Sequence, residues 1–235
     1  MIAGRFAAAF LVALAAQAAE VPATIVPAFS SATPGSALPA GWRVMSLPRR
    51  RAAEVGLAQE DGGTVLRVRS QDAFGTAAIT LDREPGVVSW RWKVDRVLEG
   101  ARLGTKEGDD FAARVYVSFE IPPEDLTLAE RARLEFARLL YGDVPSAAIC
   151  YVWDNRGAKG ASIWSPWAER VRIIVLRNAG DAGRWMEERR DVAADFREAF
   201  GRPAPRMSGI AAGSDTDQTH ESVTAWFGDF RIDPK

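Results

Sequence analysis

The chain has 235 residues, 47% hydrophobic and 26% charged, with 30 Lys and Arg against 31 Asp and Glu. A formal net charge of −1 argues against a nucleic-acid binder held by bulk electrostatics, which is clearly basic, and the hydrophobic content excludes a disordered polypeptide. One cysteine, Cys150, and one histidine, His220, exclude an intrachain disulfide, a zinc ribbon and a multi-histidine metal centre.

At the N-terminus, Arg5 precedes an unbroken apolar run from Phe6 to Ala16, and Ala16-Gln17-Ala18 follows. A basic residue, a short apolar stretch and an A-x-A exit form the pattern of a secretory signal peptide. The run is short for a bilayer span, which takes about 20 apolar residues; the alternative is an uncleaved N-terminal anchor. Residues 1–18 are therefore expected to be a signal peptide and 19–41, rich in Ala, Pro, Ser and Gly, an irregular lead-in. Residues 42–235 then form a single domain, periplasmic or secreted, with no transmembrane segment after cleavage. Cys150 sits in the apolar run Ala147–Trp153, which predicts a buried, inert thiol.

From Trp42 onward the sequence breaks into short alternating runs separated by Gly, Pro and Asp, the pattern of many strands. Leu66 and Val68 alternate with Arg67 and Arg69. Val88, Trp90, Trp92 and Val94 alternate with Ser89, Arg91 and Lys93, and Phe111, Ala113, Val115, Val117 and Phe119 with Arg114, Tyr116 and Ser118. A period of two predicts sheets with one buried face. Residues 170–177 are apolar on both sides and predict a covered strand, and a last strand runs from Val223 to Ile232 with Trp226, Phe230 and Ile232 in phase. A capping box at Thr127 and Glu130 opens a helix near 128–141, with Leu128, Ala132, Phe136, Leu139 and Leu140 as its apolar side and Arg131, Glu135 and Arg138 wet. A shorter helix near 192–200 starts at Asp191 and stops at Gly201. The expected fold is mainly β, a jelly-roll-type β-sandwich of about ten strands with a helical insertion and a short helix.

Three stretches carry a resemblance: 106–119, 148–153, and Gly209-Ile-Ala-Ala-Gly-Ser-Asp-Thr-Asp-Gln-Thr219 followed by Ala225-Trp-Phe-Gly-Asp-Phe230. With Trp90-Arg-Trp92 they resemble a secreted bacterial family catalogued only as a domain of unknown function, over essentially the whole mature chain. The resemblance implies no activity. The aromatic-Gly-Asp-aromatic step at 227–230 is also similar to the last strand of galactose-binding-like and related carbohydrate-binding sandwiches, which implies architecture more than sugar binding.

Eight Trp, eleven Phe and three Tyr favour a ligand platform, since flat rings stack on pyranose faces. Alternation assigns Trp90 and Trp92 to the core. It turns Tyr151 and Trp153 outward, opposite Cys150 and Val152, together with Arg114, Tyr116, Arg91 and Lys93. Arg114, Tyr116, Tyr151 and Trp153 would then form a ring-and-guanidinium surface able to hold a glycan or other polar ligand, an acidic sugar included. The alternative is a plain wet or covered sheet face. Asp109 and Asp110 read as polar ligand contacts, a calcium pair or a turn after Gly108. Asp215, Asp217, Thr219 and Glu221 alternate in a loop and could hold Ca²⁺, the one cofactor entertained, or only satisfy local backbone groups. His220, Tyr151 and Tyr116 are the candidates for a general base. No nucleophile elbow, zinc-protease or P-loop motif is present. The preferred expectation is an exported, non-catalytic binding module for a glycan or similar polar ligand. The alternatives are a polysaccharide lyase or hydrolase on the same fold, and a structural envelope protein.

Overall fold

The computed structural model describes residues 26–47, 50–141 and 144–233, so the expected signal peptide lies outside the described residues. Thirteen strands and two helices follow in order: β1 Trp42–Met45, β2 Glu54–Glu60, β3 Gly63–Gln71, β4 Phe74–Arg83, β5 Val87–Val94, β6 Ala113–Phe119, α1 Leu128–Tyr141, β7 Ala147–Trp153, β8 Ser162–Trp164, β9 Val171–Arg177, β10 Met186–Asp191, α2 Val192–Phe200, β11 Met207–Asp215, β12 Ser222–Phe227 and β13 Arg231–Asp233. The strands beyond the expected ten include pieces of three or four residues, β1, β8 and β13. They form a seven-stranded sheet in the order β1-β4-β11-β6-β7-β9-β8 and a six-stranded one, β10-β5-β12-β3-β2, with β13 also on β5. Between named strands, only β7 and β9 pair in parallel. β11 lies between β4 and β6, and β12 between β3 and β5.

The main core fills the space between the sheets, with Leu66, Val68, Val88, Trp90, Trp92 and Val94 supplied as the alternation predicts. From the other sheet come Val115, Val117 and Phe119 of β6 and Ile149, Tyr151 and Trp153 of β7. Trp90 packs on Tyr151 at 5.4 Å between ring centroids and Trp92 on Trp153 at 5.5 Å. Each such pair adds about 0.5–1.5 kcal/mol beyond the area it buries. The lead-in contributes too: Phe29 is fully buried, and the Trp42 indole donates to the Pro27 carbonyl at 2.9 Å.

Three expected phases are corrected. In β7 it is Tyr151 and Trp153 that face the core, while Cys150 and Val152 face outward. The strand has no charged residue to mark a wet side, so volume decides, and the wide space between sheets takes the rings. The outward faces of β6 and β7 are not wet either. A second apolar cluster of Phe111, Tyr116, Cys150, Val152, Ile173 and Val175 lies there under Met45, Leu47, Leu103 and Ile163, so Phe111 stands on the opposite side from Val115. In the last strand, Val223, Ala225 and Phe227 point inward and Trp226 outward, and Gly228-Asp229-Phe230 breaks the run before β13. Phe230 re-enters the core beside Trp90.

Both helices form where expected, and their caps hold. Thr127 N–H donates to Glu130 Oε2 at 2.8 Å, and Asp191 accepts from Ala194 N–H at 3.0 Å. α1, however, shows its expected apolar side to solvent: Leu128, Phe136 and Leu139 are 83%, 62% and 81% exposed. Ion pairs tie it to neighbouring segments, Arg138 with Glu120 at 2.7 Å, Arg133 with Glu169 at 2.7 Å, and Arg170 with Glu130. Only Leu134 among its leucines with described side chains packs on the core. No described helix is long and apolar enough to cross a membrane.

A buried polar tie joins the two sheets. Tyr151 Oη of β7 donates to Asp195 Oδ2 of α2 at 2.5 Å, and Arg190 of β10 forks onto the same carboxylate. Asp195→Ala strands a buried hydroxyl and a guanidinium and is expected to cost about 3 kcal/mol in urea unfolding. Tyr151→Phe, which leaves Arg190 paired, is expected to cost about 1–2 kcal/mol. Burial pushes the Cys150 thiol up to about 12. A thiol reagent at pH 8 is therefore expected to leave the native protein unlabelled and to react in full only after unfolding.

Candidate functional site

β6 and β11 are neighbours, and the loops at their ends, 95–112 and 216–221, meet at one end of the sandwich. Four aspartates gather there. Asp109, Asp110, Asp215 and Asp217 are 2%, 0%, 1% and 5% exposed. Gly108 permits the approach: a Cβ on it would come within 2.7 Å of the Arg102 backbone nitrogen, which donates to the Gly108 carbonyl.

Arg114, 3% exposed, lies in the middle. Its Nε donates to Asp215 Oδ1 at 2.8 Å and its Nη2 to Asp215 Oδ2 at 2.5 Å. Nη2 also reaches the Asp109 carbonyl, and Nη1 lies 3.2 Å from Tyr116 Oη and 3.5 Å from Asp109 Oδ2. The guanidinium stacks over the Phe111 ring at 4.5 Å. Burial lowers its pKa, but Asp215, Tyr116 and Asp109 outweigh burial and hold it above the ordinary arginine value. Burial pushes the Asp215 carboxyl well above the usual carboxylate range, with Arg114 pulling the other way and Asp110 and Asp109 adding to the push. Asp109 is raised by burial against Arg114. Asp217 is raised by burial and by Asp110 against Arg50, whose Nε lies 3.0 Å from Asp217 Oδ2.

The structure therefore joins Asp109, Asp110, Arg114 and Tyr116 with Asp215 and Asp217. Tyr151 and Trp153 are on the far side of the sheet. Neither forms a surface with Arg114, and the expected stacking platform does not exist at this place. The loop set for calcium also changes: Glu221 points away and accepts from Glu99 and Gly100 N–H at 3.1 and 2.8 Å, while Thr219 Oγ1 donates to Asp110. The three base candidates do not converge. Burial raises Tyr116 and Tyr151 well above the ordinary phenol value. His220 is exposed on a turn, with Nδ1 2.6 Å from Asp72 Oδ1.

The sequence places Arg91 and Lys93 outward, and they are: they stand on the outer face of the six-stranded sheet, where two indoles join them. Arg91 lies 4.5 Å and Lys93 5.9 Å from the Trp185 ring, and Lys93 5.3 Å from Trp226. Lys93 and Arg67 are the strand partners of Trp226 on either side. Gly228 makes room, since a Cβ there would meet Arg91 Cγ at 2.6 Å. Beside this row a groove of about 460 Å³ runs between Ser89, Arg91, Glu187, Arg189, Asp229 and Arg231. Asp229 holds the lead-in against it, accepting from Ser30 N–H at 3.0 Å and Ser30 Oγ at 2.5 Å. Reasoning from strand phase missed Trp226 because it was grouped with Phe230 across the break at Gly228. It missed Trp185 because that residue lies outside any strand, immediately before β10. A second cleft, about 390 Å³, opens between β9 and α2, where Lys159 is held by Asp181 and Arg172 by Ser162.

The Asp72 carboxylate raises the pKa of His220. As His220 is the sole histidine, its Hε1 proton signal reports it alone. Its NMR titration midpoint is expected above 6.5 and is expected to fall toward 6.5 in Asp72→Asn. The stabilising contact is complete below the unfolded midpoint and is lost as pH rises through the folded one.

Several solved structures share a distant likeness. The K1 cleaved adhesin domain of Lys-gingipain from Porphyromonas gingivalis W83 aligns over 88% of this chain and 96% of its own at 10% identity and a TM-score of 0.38. A cellulase derived from the Cel12A of Rhodothermus marinus aligns over 82% and 91% at 12% identity and 0.44. The xyloglucanase domain of NopAA, a type three effector from Sinorhizobium fredii in complex with cellobiose, aligns over 83% and 94% at 8% and 0.44. No curated protein sequence matches. Residues 40–231 match one family model, and the chain belongs to that family, described as a protein of unknown function, DUF3047.

Proposed function

We propose that this protein is an exported, non-catalytic binding module for a glycan, and that the outer face of the six-stranded sheet is where the glycan lies. The observation that carries this reading is the half-buried row of Trp226, Lys93, Trp185 and Arg91 beside the 460 Å³ groove. Half-buried indoles offer ring faces or edges to a pyranose, and the groove offers both carboxylates and guanidiniums for hydroxyls. Arg67 and Arg69, both exposed on β3 of the same sheet, add positive charge, which favours a uronate-bearing chain. The leader-like segment at 1–18 supports export.

The hydrolytic and lyase readings are weaker. Either needs a base and a charge stabiliser converging on one cleft; the base candidates His220, Tyr116 and Tyr151 are apart from one another and from the groove, and the groove's Asp229 is engaged by Ser30 N–H and Oγ.

Binding to immobilised and soluble glycans, uronate-rich and neutral, tests the proposal. Saturable binding without release of reducing ends or unsaturated uronates is expected. Trp226→Ala and Arg91→Ala are each expected to weaken it at least tenfold, about 1.4 kcal/mol, and Trp164→Ala, on β8 of the other sheet, to leave it unchanged. Binding indifferent to the sheet-face variants would refute the site, and turnover abolished by His220→Ala would replace the reading with an enzymatic one.

A further inference from the structure

The four-aspartate cluster has a charge problem that its own residues do not solve. Arg114 is spent on Asp215 and Asp109, and Arg50, 44% exposed at the rim, on Asp217. Asp110 is wholly buried, and among the described residues no Lys or Arg pairs with it. Its Oδ2 is held by neutral donors alone, the Gln218 and Thr219 N–H groups at 3.0 and 2.6 Å and Thr219 Oγ1 at 2.8 Å. A buried carboxylate without a counter-charge is among the costliest groups in a protein.

The second observation concerns the other oxygens. Asp110 Oδ1, Asp217 Oδ1 and Asp109 Oδ1 are buried and have no hydrogen-bond partner. In Asp110 and Asp217 the opposite oxygen is pinned from outside the cluster, by the 218–219 backbone and by Arg50. One carboxylate oxygen from each of Asp110, Asp215 and Asp217 lies within 4.8 Å of the others, about twice a Ca²⁺–oxygen distance of roughly 2.4 Å. Mg²⁺, at about 2.1 Å, requires a tighter set. No histidine or cysteine belongs to the group, so soft transition metals are disfavoured.

We propose that Asp110, Asp215 and Asp217 bind a calcium ion that locks the 95–112 loop to the 216–221 turn. The remaining coordination falls to nearby carbonyls and water. Asp215 links the ion to Arg114, so that the guanidinium and the ion share its carboxylate. The site is independent of the glycan-binding face.

The test uses the whole protein stripped with a chelator and dialysed against calcium. Elemental analysis is expected to find one Ca²⁺ per chain. At a calcium concentration about 100 times Kd, Tm is expected to rise by about 5–10 °C, and by less than half of that in Mg²⁺ at matched ionic strength. Asp217→Asn removes only a rim pair and is expected to keep its fold in chelator while losing at least tenfold in calcium affinity. Asp110→Asn is expected to lose the calcium response altogether. No calcium retained by the wild type, a Tm rise reproduced by NaCl at the same ionic strength, or an undiminished response in Asp217→Asn would each overturn the proposal. The wild-type titration decides the matter even if Asp110→Asn fails to fold.

Discussion

The contact of Trp90 and Trp92 with Tyr151 and Trp153 sets the phase of the whole molecule. The sheets sit about 10 Å apart, and these rings fill that distance. Once Tyr151 and Trp153 point inward, Cys150 and Val152 must point outward. Register then brings their β6 neighbours, Tyr116 opposite Cys150 and Arg114 opposite Val152, onto the same outer face. That face is covered by loops, so the charges on it become interior charges. The other sheet has no such cover. Its outer row stays wet, and one sandwich carries two very different surfaces.

β3 and β5 of the six-stranded sheet were legible because their alternation is between unlike residues. Val88, Trp90, Trp92 and Val94 against Ser89, Arg91 and Lys93 leave one choice of inside. β6 was legible in its inward row, Ala113, Val115, Val117 and Phe119, but not in the burial of its other row; β7 was not legible, because both its faces are buried and uncharged, which leaves no wet side to mark the phase. The α1 helix failed for a related reason. Its apolar spacing is real, but the side it presents is tied to the rest of the chain by ion pairs with Glu120, Glu169 and Arg170, and those partners cannot be paired from a single sequence.

The aspartates were legible as chemistry and not as geometry. Asp109 and Asp110 stand more than a hundred positions from Asp215 and Asp217, and nothing local says they meet. The loop reading joined Asp215 and Asp217 to Glu221, which instead anchors the backbone at Glu99 and Gly100. Arg114 was visible, but as a surface group. Its burial follows only from the loops that cover the seven-stranded sheet, and it turns a modest surface residue into the organising charge of one end of the fold.

The strand order also governs how the molecule comes into being. β11 sits in the interior of one sheet and β12 in the interior of the other, yet both are encoded in the last thirty or so residues. A growing chain halted before Met207 holds β4 and β6 with nothing between them, and β3 and β5 likewise. Neither layer can close until synthesis is nearly finished, and the pairings that close them span long stretches of chain, which makes assembly slow. Truncation before Met207 therefore removes an interior strand from each layer at once, and the last strands of the chain hold both sheets together.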